Sequence, residues 1–365
     1  MILLIVAHHL IVHGGTFPYS DASASQHMFA ALLEAGGKIG VDGFVLISGY
    51  FLCTATSVDP RKVVRLLIQM LTYSIAITTM FLILHPSSLN GLAASQIVLH
   101  AVFPVGFSVW WFASVYVLLL LLSPILNMAV HAMNIRQYQW LLIGGFVYLS
   151  VLPAYFAQEW TRSNLLWFIY LYAIAGYARV HRPKILDHPR IAGLLGIASL
   201  ALSAGIVVLA ALHPPPTSVT RYVVIDARQE NPLVLLSAIL LFSFFLGLRL
   251  GTVTTINTVA SAAFGVYLIH DHPYVRAWLW GDVVRPADHY ADGTNFYLLA
   301  VGTVLAIYVS CTLIDLVRQR LIERPLRHLV DKFPWRSASS ARRLTSGQEV
   351  TNDGISEEPA PQSQN

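Results

Sequence analysis

The chain has 365 residues, of which 56% are hydrophobic and only 12% are charged, and its formal net charge is +4. With a mean hydropathy of +0.61, this composition excludes an ordinary soluble domain. The isoelectric point of about 9.0 does not indicate nucleic-acid binding, because no aromatic-rich groove or nucleic-acid motif accompanies the basic residues.

Apolar stretches follow one another along nearly the whole chain. A helix needs about 20 mostly apolar residues to cross the roughly 30 Å hydrocarbon layer of a membrane, and most of the stretches approach that length. We therefore predict an all-α, polytopic integral-membrane bundle of about ten transmembrane helices. The predicted spans are 1–14, 39–56, 63–84, 109–130, 139–157, 164–179, 191–212, 232–249, 255–277 and 295–316.

The composition changes after the last span. Residues 337–365 are rich in Ser, Gln, Glu and Pro and contain few aliphatic residues, so we predict a disordered cytoplasmic tail there. Residues 1–336 show no internal repeat at a fixed period. We expect them to form one transmembrane domain.

The distribution of basic residues predicts the orientation in the membrane. If the N-terminus is cytosolic, ten spans place both termini on the cytosolic side, and 17 of the 23 Lys and Arg residues then lie on that side. Cytosolic loops are enriched in Lys and Arg. The sequence therefore predicts a multi-pass protein of the cell membrane with both termini in the cytoplasm.

The first span is unusually short. A helix from Met1 to Gly14 extends only about 20 Å, and no basic residue precedes it. The segment also lacks the charged leader and small-residue cleavage site of a secretory signal. We expect the natural chain to begin upstream of Met1, with at least one Arg or Lys in the missing segment.

Ionisable residues occur inside three of the predicted spans: His8 and His9 in the first, Asp42 in the second, and His270 and Asp271 in the ninth. Such groups are costly in a membrane, so they mark candidate functional sites. Counted along the helices, they lie at a similar depth below the outer surface. A carboxylate beside an imidazole is the usual construction of a general base, which predicts proton abstraction from a hydroxyl at this level.

Simpler interpretations of these residues stay open. A membrane histidine can serve only to bridge helices by hydrogen bonding, and Asp42 can simply pair with Lys38, one helical turn earlier. His8 and His9 project about 100° apart on one helix, so we do not expect both to face the same pocket. We assign no metal site.

Four short motifs, taken together and in order, are similar to those of a known family. The chain resembles the acyltransferase family 3 membrane proteins, which O-acylate bacterial surface polysaccharides and related acceptors. The resemblance covers nearly the whole chain. The matching residues are 5–9 (IVAHH), 41–52 (VDGFVLISGYFL), 109–112 (VWWF) with Tyr116 and Ser123–Pro124, and 264–270 (FGVYLIH).

The resemblance implies which residues are catalytic. Members of the family have an arginine about ten residues before the essential histidine of the first span. By that spacing, His9 is the better match to the essential histidine and His8 is the second. The arginine itself would fall before Met1. An imidazole would act as general base, with Asp42 or Asp271 orienting it, and an acyl-histidine relay is a variant. The implied catalytic set is His9, His8, Asp42, His270 and Asp271.

The resemblance also implies the substrates. The acyl donor is cytosolic acyl-CoA, with acetyl-CoA the commonest case; it is a co-substrate, and no bound cofactor is expected. Its phosphates require cations on the inner face, and the candidates are Arg61, Lys62, Arg65 and Arg136, although each can equally serve only to fix topology. The residues expected to be acceptor-binding or structural are Ser48, Gly49, Tyr50, Trp111, Tyr116 and Tyr267.

The leading hypothesis is a membrane O-acyltransferase, in particular an O-acetyltransferase. It would move the acyl group to a hydroxyl of a cell-surface or exported glycan, or of a lipid-linked sugar, with membrane lipid and no nucleic acid as partners. Two alternatives stay open at this point. One is a transporter or flippase of a lipid-linked sugar, in which the His and Asp residues form a proton relay. The other is a membrane scaffold whose polar residues only hold helices together.

Overall fold

A computed structural model describes residues 1–15, 23–89, 91–156, 163–212, 228–248, 251–290 and 292–326. Every regular element in these ranges is helical, as predicted. The predicted tail, 337–365, lies outside the described residues. The α-helices in these ranges are α1 (Ile2–Val12), α2 (Ala24–Leu52), α3 (Pro60–Leu84), α4 (Ala94–Val102), α5 (Trp111–Ala132), α6 (Ile135–Phe146), α7 (Leu152–Phe156), α8 (Asn164–His181), α9 (Pro189–Leu212), α10 (Pro232–Gly247), α11 (Thr254–Ser261), α12 (Ala263–His270), α13 (Pro273–Trp278), α14 (Pro286–His289) and α15 (Thr294–Arg318).

Four helical segments in the described part of the chain are long and apolar enough to cross a membrane. They are Pro60–Leu84, Trp111–Ala132, Pro189–Leu209 and Thr294–Leu326. The shorter helices α1 and α10 are also apolar. The many large hydrophobic side chains that remain exposed on these helices, such as Met128 and Leu298, suit contact with lipid tails rather than water.

Helix α2 is longer than predicted and lies at the centre of the bundle. It begins at Ala24 instead of residue 39, because Ser23 and Gln26 form a capping box that starts the helix 15 residues earlier. The additional turns contain polar residues, among them Gln26 and Glu34, which are buried against other helices. Helix α2 packs against α1, α8, α9 and α10.

The predicted ninth span, 255–277, is not one continuous helix, and this prediction was wrong. The structure divides it into α11, α12 and α13. Pro273 has no backbone N–H and cannot continue the hydrogen bonding of α12, so α12 ends at His270 and α13 begins at Pro273. Asp271 and His272 occupy the non-helical turn between them.

Glycines of α2 allow α1 to lie directly against it. A Cβ atom added to Gly37 would be 2.1 Å from the Cβ of His8, and one added to Gly40 would be 3.0 Å from the backbone oxygen of Met1. Small residues permit such close approach between membrane helices. The position of His8 therefore depends on the absence of a side chain at Gly37.

We expect Gly37→Ala to destabilise the protein by about 1–3 kcal/mol, because the new methyl group overlaps His8 and forces α1 away from α2. The matched control is Gly144→Ala in α6, where an added Cβ meets nothing within 4 Å. Alanine is the better helix former, so this control should be neutral or stabilising by up to about 1 kcal/mol. Thermal unfolding in detergent measures both, and equal melting temperatures for the two variants would contradict the packing argument.

Candidate active site

Helices α1, α12 and α13, with the turn between the last two, bring five polar residues together at one end of the bundle. We call His9, His13, His270, Asp271 and Arg276 the imidazole cluster. Nδ1 of His9 in α1 lies 2.9 Å from Nε2 of His270 at the end of α12. The same nitrogen lies 3.5 Å from Oδ1 of Asp271. The predicted convergence of these residues is thus present, and the break after α12 is what turns Asp271 toward α1.

The hydrogen bonds fix where the protons of the cluster reside. Nδ1 of His270 lies 2.6 Å from the backbone oxygen of Val266, which can only accept, so this nitrogen carries a proton. In a neutral ring, Nε2 of His270 then accepts, and Nδ1 of His9 must donate to it. The lone pair of His9 is therefore on Nε2. That atom is available to take a proton from a substrate.

Two members of the cluster were not recognised from the sequence as site residues. Nε2 of His13 lies 3.9 Å from Oδ1 of Asp271, and Nη1 of Arg276 lies 3.5 Å from the same oxygen. His13 is one helical turn after His9, a spacing that places both rings on one face and that was available as a signal. Arg276 falls at the end of the predicted ninth span, 255–277, and a continuous helix there gave no reason to expect it beside Asp271.

The expectation of no metal site overlooked the one-turn spacing of His9 and His13. Together with Asp271 they present three ligand atoms within 4.8 Å of one another, which suits a metal ion in principle. Two contacts oppose a cation at this point. The Arg276 guanidinium lies beside the same carboxylate, and Nδ1 of His9 is engaged with His270. We therefore assign these residues to proton transfer.

His8 and Asp42 lie outside the cluster, although both are buried. Nδ1 of His8 lies 2.9 Å from the backbone oxygen of Glu34 and so donates to α2. Asp42 accepts a hydrogen bond of 2.9 Å from the indole nitrogen of Trp167 in α8, and the structure places neither Lys38 nor an imidazole in hydrogen bonding with it. His8 thus joins α1 to α2, and Asp42 joins α2 to α8.

Trp110 compensates for the interruption of α12. The break leaves the backbone oxygen of Leu268 without its usual helical donor, since residue 272 no longer continues the helix. The indole nitrogen of Trp110 donates to this oxygen over 3.1 Å, and the Trp110 ring packs edge-on against His272. The broken helix is held in place by this side chain, which is 1% exposed.

A cavity of about 480 Å³ opens toward the other end of the bundle. We call it the basic cavity, because Lys62 and Arg65 from the start of α3 line it. Its remaining lining is mostly apolar and consists of Phe44, Ile47, Ser48, Leu66, Gln69, Phe112, Tyr116, Phe264 and Glu323. Ser48 and Tyr116, which were grouped with the acceptor, thus lie beside the predicted donor-binding cations.

A second cavity, of about 440 Å³, reaches the imidazole cluster at Asp271 and Arg276. We call it the histidine-side cavity. It is more polar than the basic cavity and is lined in addition by Ser74, Thr78, Leu92, His100, Phe107, Ser108, Val109, Trp111, His272, Pro273 and Tyr274. Thr78 of this cavity and Lys62 of the basic cavity are both on α3 and lie about 24 Å apart along it.

Four other predicted site residues lie away from the imidazole cluster. Two of them pack against α8, and the other two are arginines outside both cavities. Gly49 allows the backbone of α8 to approach, since an added Cβ would be 3.1 Å from Cα of Tyr172. Tyr50 accepts a hydrogen bond from Arg179 and lies under its guanidinium. Arg61 and Arg136, at the first turns of α3 and α6, do not line either described cavity.

A buried ion pair that the sequence analysis missed joins α3, α12 and α15. Asp315 is completely buried and accepts hydrogen bonds of 2.7 Å from Tyr73, Arg318 and Gln319. Gly265 of α12 packs directly on the carboxylate. An acidic residue inside the tenth span, three residues before an arginine, was the available signal. The pair fixes α12 against α3 and α15.

Trp167 and Trp110 offer a matched test of the buried Asp42 carboxylate. Each is 1% exposed and donates one hydrogen bond, Trp167 to the Asp42 carboxyl group and Trp110 to the backbone carbonyl of Leu268. Removing such a donor leaves a buried acceptor without its partner, which costs about 1–3 kcal/mol. We expect Trp167→Phe and Trp110→Phe each to lower the free energy of unfolding by about 1–3 kcal/mol, measured by thermal unfolding in detergent. An unchanged melting temperature for Trp167→Phe would show that Asp42 does not depend on Trp167.

The comparison with known families agrees with this geometry. A family model described as an acyltransferase domain, Acyl_transf_3, matches residues 1–315, which include the imidazole cluster and most of the residues that line the two cavities. No curated protein and no solved structure matches the chain. Because the match covers well over half of its length, this multi-pass membrane protein belongs to the acyltransferase 3 family.

Proposed function

We propose that the protein transfers an acetyl group from cytosolic acetyl-CoA to a hydroxyl of a cell-surface or exported glycan, with His9 as general base. The observation that carries the proposal is the position of the imidazole cluster. It adjoins a polar cavity at one end of the bundle, while a cavity with cations and an apolar interior opens toward the other end. A reaction between substrates from opposite sides of a membrane needs this arrangement.

The basic cavity suits the acyl donor. Lys62 and Arg65 provide positive charge for the phosphates of CoA. Farther along the cavity, Phe44, Phe112 and Phe264 provide an apolar surface for a thin acyl-pantetheine arm. Under this proposal the donor enters at the cations and its thioester points toward the imidazole cluster.

The histidine-side cavity suits a carbohydrate acceptor. Ser74, Thr78 and His100 can hydrogen-bond to sugar hydroxyls. Trp111 offers an aromatic face of the kind against which a sugar ring can pack. Asp271 lies at the point where this cavity meets the cluster, so an acceptor hydroxyl that reaches Asp271 also comes close to His9.

The geometry supports the following proton path. Nε2 of His9 removes the proton of the acceptor hydroxyl while the hydroxyl oxygen attacks the thioester carbonyl carbon. Asp271, 3.5 Å from Nδ1 of His9, stabilises the imidazolium that forms. When the carbon–sulfur bond breaks, the departing thiolate takes the proton from the imidazolium. The base is thereby restored, and the products are the O-acetylated glycan and CoA.

The orientation in the membrane follows from the donor. Acetyl-CoA is cytosolic, so the basic cavity must face the cytosol and the histidine-side cavity the outside. This agrees with the excess of Lys and Arg predicted for the inner side. It also places both termini in the cytoplasm under the ten-span topology.

His9→Ala should abolish acetylation of surface glycans, because loss of a general base lowers the rate by about 10²–10⁴-fold. The measurement is mass analysis of glycans from a strain lacking the gene and complemented with each variant, scored by the acetyl mass increment. His8→Ala is the adjacent comparison. Since His8 donates a hydrogen bond to the α2 backbone and lies outside the imidazole cluster, we expect lower stability but retained acetylation. Acetylation that persists in His9→Ala at wild-type protein levels would rule out His9 as the base.

The variants Lys62→Gln and Arg65→Gln should each raise the KM for acetyl-CoA by about tenfold, the equivalent of about 1.4 kcal/mol in binding free energy. The maximal rate should change little, because the cations bind the donor and do not take part in the chemical step. Membrane vesicles supplied with radiolabelled acetyl-CoA give both constants.

Arg136→Gln is the matched control for these two variants. It removes the same charge from an exposed position on α6 that does not line the basic cavity. An equal rise in KM for all three variants would indicate a general effect of positive charge and not a donor site.

A further inference from the structure

Tyr267 of α12 stands between the basic cavity and the imidazole cluster. On one side its ring meets Phe112 edge-on, with centroids 5.6 Å apart, and lies 6.3 Å from the ring of Phe264; both residues line the basic cavity. On the other side its ring lies 6.4 Å from that of His270. A thioester that moves from the basic cavity toward His9 by way of Phe112 and His270 therefore comes close to Tyr267.

The hydroxyl of Tyr267 is buried without a hydrogen bond of regular geometry. Other buried tyrosines in the described part of the chain do not share this property. The hydroxyls of Tyr73, Tyr138, Tyr170 and Tyr172 donate to oxygen atoms over 2.6–3.0 Å. Leaving a buried hydroxyl without a partner costs about 1–3 kcal/mol. A cost of this kind at a candidate active site indicates that the hydroxyl is kept for a ligand.

Neighbouring N–H donors of the site are already engaged. The indole nitrogen of Trp110 donates to the backbone oxygen of Leu268. Nδ1 of His270 donates to the backbone of Val266, and Arg276 lies against Asp271. The Tyr267 hydroxyl interacts with the Asp271 carboxylate, but outside regular hydrogen-bond geometry. It can therefore turn to donate to an additional acceptor atom.

We infer that Tyr267 is a further catalytic residue whose hydroxyl donates a hydrogen bond to the carbonyl oxygen of the acyl thioester. This inference rests on the proposed function and adds to it the group that binds the developing oxyanion. As the acceptor oxygen bonds to the carbonyl carbon, His9 takes the hydroxyl proton and the carbonyl π electrons move onto the carbonyl oxygen. The Tyr267 hydroxyl stabilises that negative charge until the carbonyl re-forms, the carbon–sulfur bond breaks and the thiolate leaves with the proton from His9.

Tyr267→Phe tests the inference, because it removes the hydroxyl and keeps the ring. In membrane vesicles given radiolabelled acetyl-CoA, with their own glycans as acceptor, we expect the rate at saturating donor to fall by about 10²–10³-fold. The KM for acetyl-CoA should change by less than about threefold, since the interaction is made in the transition state. The melting temperature in detergent should change little, because the variant loses a buried polar atom that makes no hydrogen bond of regular geometry.

Tyr138→Phe is the matched control. Tyr138 is completely buried, and its hydroxyl donates to the backbone oxygen of Ala173 over 2.7 Å, between α6 and α8 and outside both cavities. We expect this variant to lose stability while its transfer rate per folded molecule is unchanged. The two tyrosines should thus show opposite patterns of rate and stability.

Two results would overturn the inference. One is a Tyr267→Phe variant that transfers acetyl groups at the wild-type rate; the other is a Tyr267→Phe variant that loses activity only in proportion to a fall in melting temperature. In both cases the proposed function would still hold, provided that the wild-type protein transfers acetyl groups from acetyl-CoA. A wild-type protein that transfers no label from acetyl-CoA would instead overturn the proposed function together with this inference.

Discussion

The hydrogen bond between His9 and His270 is the interaction on which the rest of the site depends. It joins α1 to the end of α12 inside an apolar bundle, where both rings are buried. Three features serve this contact. Gly37 lets α1 approach α2, Pro273 ends the interrupted helix so that Asp271 turns inward, and the buried Asp315–Arg318 pair fixes α12 against α3 and α15.

The sequence was sufficient to predict the membrane class and the convergence of His9, His270 and Asp271. Long apolar stretches are an unambiguous signal for membrane helices. An ionisable side chain inside such a stretch is costly in contact with lipid, and its most favourable position is beside a second ionisable side chain in the protein interior. Residues that share a depth in separate helices can therefore be matched by counting turns, without knowledge of how the helices pack.

The orientation of individual side chains around each helix could not be predicted in the same way. Helices that are apolar on all sides have no polar face from which the neighbouring helix can be inferred. For this reason Asp42 was grouped with the histidines although it faces Trp167 on α8. The break in the ninth span was missed because the apolar stretches on both sides of it were joined into one span, although the polar residues 270–272 and Pro273 interrupt them. The contact of Arg276 with Asp271 depends on that break. The partners of Asp315 depend on how α3 packs against α15, which the sequence does not show.

The separation of the basic cavity from the histidine-side cavity has a consequence for the cell as a whole. A continuous water-filled passage through the protein would let ions flow down the membrane potential, and each charge that crosses dissipates about 2.3 kcal/mol per 100 mV. Phe112 lines the basic cavity, and its ring contacts that of Tyr267, which lies beside His270 of the imidazole cluster. In the proposed orientation, these rings let a thioester reach the outer substrate while the membrane keeps the electrical gradient that drives nutrient uptake and ATP synthesis.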